Sequence, residues 1–246
     1  MIIPKVVHIS WPDKEVINNQ SPIILNGLRN LIDLNPDWNV TIYNDDEIDT
    51  YLKNNLDISD YELVKNRHIV EKSDLWRLIK LYYDGGLYVD IDRFCNVKLS
   101  DIIDENTSCV LPICLDWDFS QDFMLTIPNS PIMAKTIEMI LTRRKEGHTS
   151  TFFLGPQTYM HAITLTMFGE MINTDPGKEK FNEIRNALAE CNPYIKTYNE
   201  SPPYNTIIYK HDKNTFKQGN SMLTDWSRLK KEFYASYKLT HWTGDW

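Results

Sequence analysis

Hydrophobic and polar positions change period several times along the chain, and each change marks an element. Val6-Val7-His8-Ile9-Ser10 is a β-rich run that stops at Trp11-Pro12, predicting an opening strand. Ser21-Pro22 supplies an N-cap with proline at the first helical position, predicting a helix to about Leu34. Trp38 to Tyr43 alternates and predicts a second strand. Asp45 to Leu56, acidic in its first turn, predicts a helix. A longer helical region from about Ser59 to Tyr83 ends in Leu75, Leu78, Ile79 and Tyr82, the stripe of a core-facing helix. Gly85-Gly86 stops it, and Leu87 to Ile91 follows at once as a strand.

Beyond this point strands are predicted at Cys109 to Leu115, Phe123 to Ile127, Ile207 to Tyr209 and Tyr237 to Trp242. Helices are predicted from Ser130-Pro131 to near Gly147, from Pro156 to Ile172 and from Gly177 to Glu190. Strands alternating with helices define an α/β chain with a mainly parallel central sheet flanked by helices. With no repeat, low-complexity tract or linker, residues 1–246 read as a single domain.

Composition narrows the partners. The net charge of −8 argues against a broad nucleic-acid surface, which needs clustered Lys and Arg. The densest basic runs, Arg143-Arg144-Lys145 and Arg228 to Lys231, read as solvated helix ends, leaving contact with an anionic acceptor or a membrane surface open. Cys95, Cys109, Cys114 and Cys191 show neither zinc spacing nor a dense disulfide framework, and read as reduced thiols. Met1-Ile-Ile-Pro-Lys5 lacks the pattern of a signal peptide, and no apolar stretch reaches transmembrane length.

The chemistry gathers at Asp90-Ile91-Asp92. Side chains at i and i+2 of a strand share a face, so both carboxylates converge where the strand runs out. Such a pair is suited to Mg2+ or Mn2+, which would neutralise a departing diphosphate as a Lewis acid. The end of a strand is also where open α/β sheets bind their ligands. Asp116-Trp117-Asp118 repeats the spacing but reads as loop polarity. A haloacid-dehalogenase phosphatase also carries an aspartate pair after a strand; it wants Thr or Val where Phe94 stands and an earlier position in the chain. Asp74 and Arg77 lie i, i+3 on one side of a helix, a pair which by itself reads as a surface ion pair worth at most about 0.5 kcal/mol.

Taken together, Ser73-Asp74-Leu75-Trp76-Arg77 and Tyr83-Asp84-Gly85-Gly86-Leu87-Tyr88-Val89-Asp90-Ile91-Asp92 resemble the core of the D-x-D sugar transferases of glycosyltransferase family 32, relatives of the glucosylating clostridial toxins. Ile3-Pro4-Lys5-Val6-Val7-His8-Ile9-Ser10-Trp11 resembles that family's opening strand, and His241-Trp242-Thr243-Gly244-Asp245-Trp246 its closing element. Gly155-Pro156 resembles a turn before a family helix.

The resemblance implies a GT-A fold and a metal-dependent, retaining transfer of a hexose from a nucleotide-sugar to a glycan or glycoconjugate acceptor. A UDP-sugar is favoured over GDP-mannose. It implies that Trp11 stacks on the donor base, that Asp74 and Arg77 hold donor sugar and phosphate, and that Asp90 contacts ribose and sugar. Asp92 is implied as the direct Mn2+ (or Mg2+) ligand, with Asp90 reaching the metal through water. His241 and Asp245 are further candidate ligands, and Gly244 and Trp246 belong to a tail that folds over the donor. Two alternatives stand beside this reading: a toxin-like protein glycosyltransferase and a non-catalytic nucleotide-sugar binder. The expected location is the cytoplasm, in a bacterium or a virus-infected host cell.

Overall fold

A computed structural model describes residues 2–18, 23–95, 98–113, 119–190, 194–197, 205–210, 216–218 and 226–239. Its centre is a seven-stranded sheet in the order β2-β1-β3-β6-β5-β8-β7, built from β1 (Val6–Ser10), β2 (Asn39–Tyr43), β3 (Gly86–Val89), β5 (Cys109–Ile113), β6 (Phe123–Thr126), β7 (Tyr194–Thr197) and β8 (Thr206–Lys210). Strands β3, β5 and β6 are buried at every position. That explains their continuous apolar runs, since a strand covered on both faces has no polar side to alternate. A two-stranded ribbon of β4 (Arg93–Cys95) and β9 (Phe216–Gln218) lies outside the main sheet.

The sheet is mixed rather than mainly parallel. Strand β1 is parallel to β2 and β3, and β5 is parallel to β8, while β6 runs antiparallel to β3 and β5, and β7 antiparallel to β8. Chain length decides this locally. Only residues 114–122 separate β5 from β6, whereas a parallel crossover needs about a dozen residues or more.

After α1 (Asn26–Leu34), helix α2 (Asp45–Asn55) begins on a reciprocal capping box. The Asn44 side chain accepts from the Glu47 N–H at 3.0 Å, and the Glu47 carboxylate accepts from the Asn44 N–H at 3.0 Å. The helical region after it divides into α3 (Ile58–Val64) and α4 (Ile69–Asp84), the latter opened by His68, whose Nδ1 accepts from the Val70 N–H. Gly85 and Gly86 then adopt φ of 65° and 93°, and a Cβ on Gly86 would meet the Val6 carbonyl at 2.6 Å. The pair therefore ends α4 and lets β3 enter hard against β1.

Helix α5 (Pro131–Lys145) packs against α4, and its basic end is not solvated as the sequence pattern suggests. Arg144 is buried and paired with Glu71, and Arg143 reaches His161 Nδ1 at 2.7 Å. After α6 (Thr158–Phe168) and α7 (Asp175–Glu190), a final helix, α8 (Trp226–Ser236), contains the Arg228 to Lys231 run that the sequence pattern places at a solvated helix end, and the described part of the expected strand, 237–239, is not a strand.

His8 on β1 is buried, facing the Gly85 carbonyl through Nε2 at 3.0 Å and the Tyr43 hydroxyl through Nδ1 at 3.4 Å. Burial lowers its pKa to about 4. The unfolded chain therefore binds a proton between about pH 6.5 and 4 that the folded one refuses, so stability is full above 6.5 and falls with pH through 4. The loss is on the order of 3 kcal/mol. His8→Gln is expected to flatten that slope in denaturant melts collected from pH 7 to 4; an unchanged slope would assign the acid sensitivity elsewhere.

Candidate functional site

The end of β3 turns into the site. The Asp90 N–H donates to the Asp122 carbonyl at 2.9 Å, carrying the β3–β6 pairing one step further, and the Arg93 N–H donates to the Asp90 carbonyl at 2.9 Å to close a turn. Asp90, Asp92 and Asp122 are thereby brought to one edge. Ser73 of α4 donates its hydroxyl to Ser10 at the end of β1 at 2.9 Å, fixing the helix over the same edge.

Arg77 ties these elements together. Its Nη2 lies 2.9 Å from Asp74 Oδ1, and its Nη1 lies 3.3 Å from Asp90 Oδ1 and 3.2 Å from the Gln121 carbonyl. Its Nε donates to the Ser73 carbonyl at 3.3 Å, and the guanidinium carbon sits 4.4 Å from the centre of the Tyr88 ring. The Tyr88 hydroxyl completes the group by donating to Asp90 Oδ1 at 2.7 Å. Asp74 and Arg77 are thus a buried pair joined to the D-x-D motif, not the surface pair that spacing alone suggests; the Arg77 side chain is only 10% exposed.

The electrostatics follow from burial. Burial raises the Asp74 carboxyl to about pH 6, against the pull of Arg77 and with a further push from Asp90. Asp90 is raised by burial too, opposed by Arg77 and reinforced by Asp122 and Asp92. Burial works against the charge on Arg77, yet Tyr88, Asp74, Asp90 and Asp122 together hold its pKa above the ordinary value.

Asp92 is 2% exposed, and its Oδ2 lies 2.6 Å from Lys230 Nζ on α8. Arg93, fully buried, pairs with Asp122 at 2.5 Å, and Asp122 also accepts from the Ser120 hydroxyl. A cavity of about 370 Å³ lies beside these groups, lined among others by Ser10, Trp11, Asp74, Arg77, Asp90, Asp122 and Lys230. Gly155 forms part of its surroundings, because a Cβ there would stand 3.1 Å from Asp74 Oδ2, while the Gly155 carbonyl accepts from Gln121 at 3.4 Å. Phe152, exposed at the mouth, lines the same cavity.

Trp11 reaches the cavity but is 4% exposed. Phe233 of α8 stacks on it, with centroids 4.9 Å apart and planes 6° apart, and Tyr234 and Tyr237 meet it edge-on. The indole face under Phe233 is therefore covered in this arrangement.

The donor set fits a divalent cation in chemistry: Asp92 is a buried carboxylate already matched to a positive charge, and Asp90 stands two residues before it. Among the described residues no cluster of three or more His, Cys, Asp or Glu forms a closed metal site. His241, Gly244, Asp245 and Trp246 lie outside the described residues, as do Asp116 and Asp118.

Three participants escape the sequence pattern: Tyr88, Arg93 and Lys230. Tyr88 is readable, since it shares a strand face with Asp90. Asp122 becomes adjacent only through antiparallel pairing with β6, and Lys230 only through the docking of α8.

The architecture is of the GT-A type. Its fold matches the solved PaToxG glycosyltransferase with a TM-score of 0.51 and 19% identity, over 76% of this chain and 77% of that one. Residues 24–109, which contain the D-x-D motif, match the family model of the glycosyltransferase sugar-binding region containing DXD motif. Sequence relatives include the mannosyl phosphorylinositol ceramide synthase CSH1 of Saccharomyces cerevisiae, 24% identical over 60% of this chain and 38% of its own length. Inositol phosphoceramide mannosyltransferase 1 of Schizosaccharomyces pombe is 24% identical over 55% of this chain and 42% of its own. The matches thus span about two fifths of those relatives' length. No helix among the described residues is long and apolar enough to cross a membrane.

Proposed function

We propose that the cavity is the donor site of a metal-dependent glycosyltransferase that moves a hexose from a nucleotide-sugar to a glycan or glycoconjugate. The observation that carries the reading is the joining of Asp74 and Arg77 to Asp90, beside Asp92, at one end of the sheet and within the matched sugar-binding region. Mn2+ or Mg2+ on Asp92 and Asp90 would supply Lewis-acid stabilisation of the departing nucleoside diphosphate. Asp74 accepts hydrogen bonds from donor hydroxyls, and Arg77 keeps positive charge beside the carboxylates without reorganising when the glycosidic bond loosens.

Retention at the anomeric carbon follows from the family resemblance, with Asp122 already occupied by Arg93 and Ser120 rather than offered as a base. The relatives bear mannosyltransferase names, which puts GDP-mannose beside the UDP-sugars as a donor to test. Thr151, Phe152 and Pro156 form the outer wall of the cavity and suit the acceptor side.

Incubation with UDP-glucose, UDP-galactose, UDP-GlcNAc and GDP-mannose in the presence of Mn2+ is expected to release nucleoside diphosphate slowly from one of them. Metal-independent binding with no release from any donor would favour a nucleotide-sugar binder instead.

A further inference from the structure

The basic run on α8 is divided between solvent and site. Arg228 pairs with Glu232 at the surface, at 2.7 Å, whereas Lys230 turns inward with its side chain 11% exposed. Its ammonium lines the cavity and sits 2.6 Å from Asp92 Oδ2. The helix that presents it is firmly seated, through the stack of Phe233 on Trp11 and a hydrogen bond from the Tyr237 hydroxyl to Asp13 at 3.1 Å. The lysine stem itself is four flexible carbons ending in a compact charge.

The charge balance of the cavity shows what that ammonium is for. Asp45, Asp74, Asp90 and Asp122 line it against Arg77 and Lys230 alone among the described residues. A diphosphate adds further negative charge to a wall that is already acidic. Arg77 has little left to offer, because its Nε, Nη1 and Nη2 are directed at Ser73, Asp90, Gln121 and Asp74. Asp92, for its part, is buried and unfavourable without a cation nearby. An ammonium and a divalent cation on that one carboxylate repel each other, so each binds at the expense of the other.

We propose that Lys230 is a phosphate-binding residue of the donor site, held on Asp92 in the unliganded protein and turned to the diphosphate oxygens once a divalent cation takes that carboxylate. This rests on the donor-site reading above. It assigns α8 a double role: its lysine neutralises the site when empty and grips the leaving group when filled.

The test is Lys230→Met, which keeps the apolar stem and removes the charge. Mn2+ alone is titrated into the 246-residue protein by electron paramagnetic resonance of free Mn2+, and UDP and GDP are titrated by calorimetry at saturating Mn2+. The expected result is a split: Mn2+ binding tightens several-fold while nucleoside diphosphate binding weakens about tenfold or more. Mn2+ binding that is unchanged or weaker, or diphosphate binding that is unchanged, overturns the proposal. If the methionine variant does not melt cooperatively, Lys230→Gln is read by the same two criteria. A wild-type protein that binds neither Mn2+ nor diphosphate would sink the donor-site reading itself; normal wild-type binding without the split sinks only the role of Lys230.

Discussion

Arg77→Met is expected to lower turnover by about a thousandfold or more and to destabilise the protein by about 3–5 kcal/mol, the range for stripping a buried ion group of one partner. Asp74 and Asp90 both lose their nearby positive charge, and their side chains, 17% and 28% exposed, have little solvent to take its place. The Gln121 and Ser73 carbonyls lose a donor in the same stroke. Adding Asp74→Asn to Arg77→Met is expected to recover part of the stability and none of the activity, because the amide removes a buried charge without restoring the cation. Urea melts beside donor turnover check both. A single variant that melts like wild type would place the guanidinium outside the network described, and recovered turnover in the double variant would remove Arg77 from the chemistry.

Asp92→Asn is expected to remove Mn2+-dependent turnover by about a hundredfold or more, since metal Lewis-acid help amounts to several kcal/mol. The fold survives, at a cost of about 1–3 kcal/mol, because the Lys230 ammonium is left against a neutral amide that still accepts one hydrogen bond. Added Mn2+ is not expected to raise the melting temperature of this variant. Turnover equal to wild type at saturating Mn2+ would show that the metal is held elsewhere.

The sequence makes the inner half of the site legible because its signals are local. A β-rich run ending in Asp90 and Asp92, a Gly-Gly stop, and an i, i+3 pair on the preceding helix each need only a few residues to read. The capping box at Asn44 and Glu47 is equally local. The burial of the Asp74–Arg77 pair is not local: it depends on β6 bringing Gln121 and Asp122 alongside β3. The same long-range antiparallel pairing makes the sheet mixed. The stretch of α8 and its following turn carries Trp226, Leu229, Phe233 and Tyr237 at near-helical spacing but has no start signal before it, so a strand farther on draws the eye instead. Its docking puts Lys230 on Asp92 and Phe233 on Trp11, and turns a presumed surface run into part of the site.

That docking sharpens the meaning of the D-x-D motif. Asp90 is tied to Arg77 and Tyr88, whereas among the described residues Asp92 is paired with the Lys230 ammonium, the contact that the proposed metal would replace. The most direct measurement is calorimetric titration of UDP and GDP into wild-type protein and Asp92→Asn, each with and without Mn2+. The account predicts binding of one nucleotide to wild type that tightens at least tenfold with Mn2+, and no such gain in the variant. An equal gain from Mn2+ in both proteins, or wild-type binding indifferent to the metal, would contradict it.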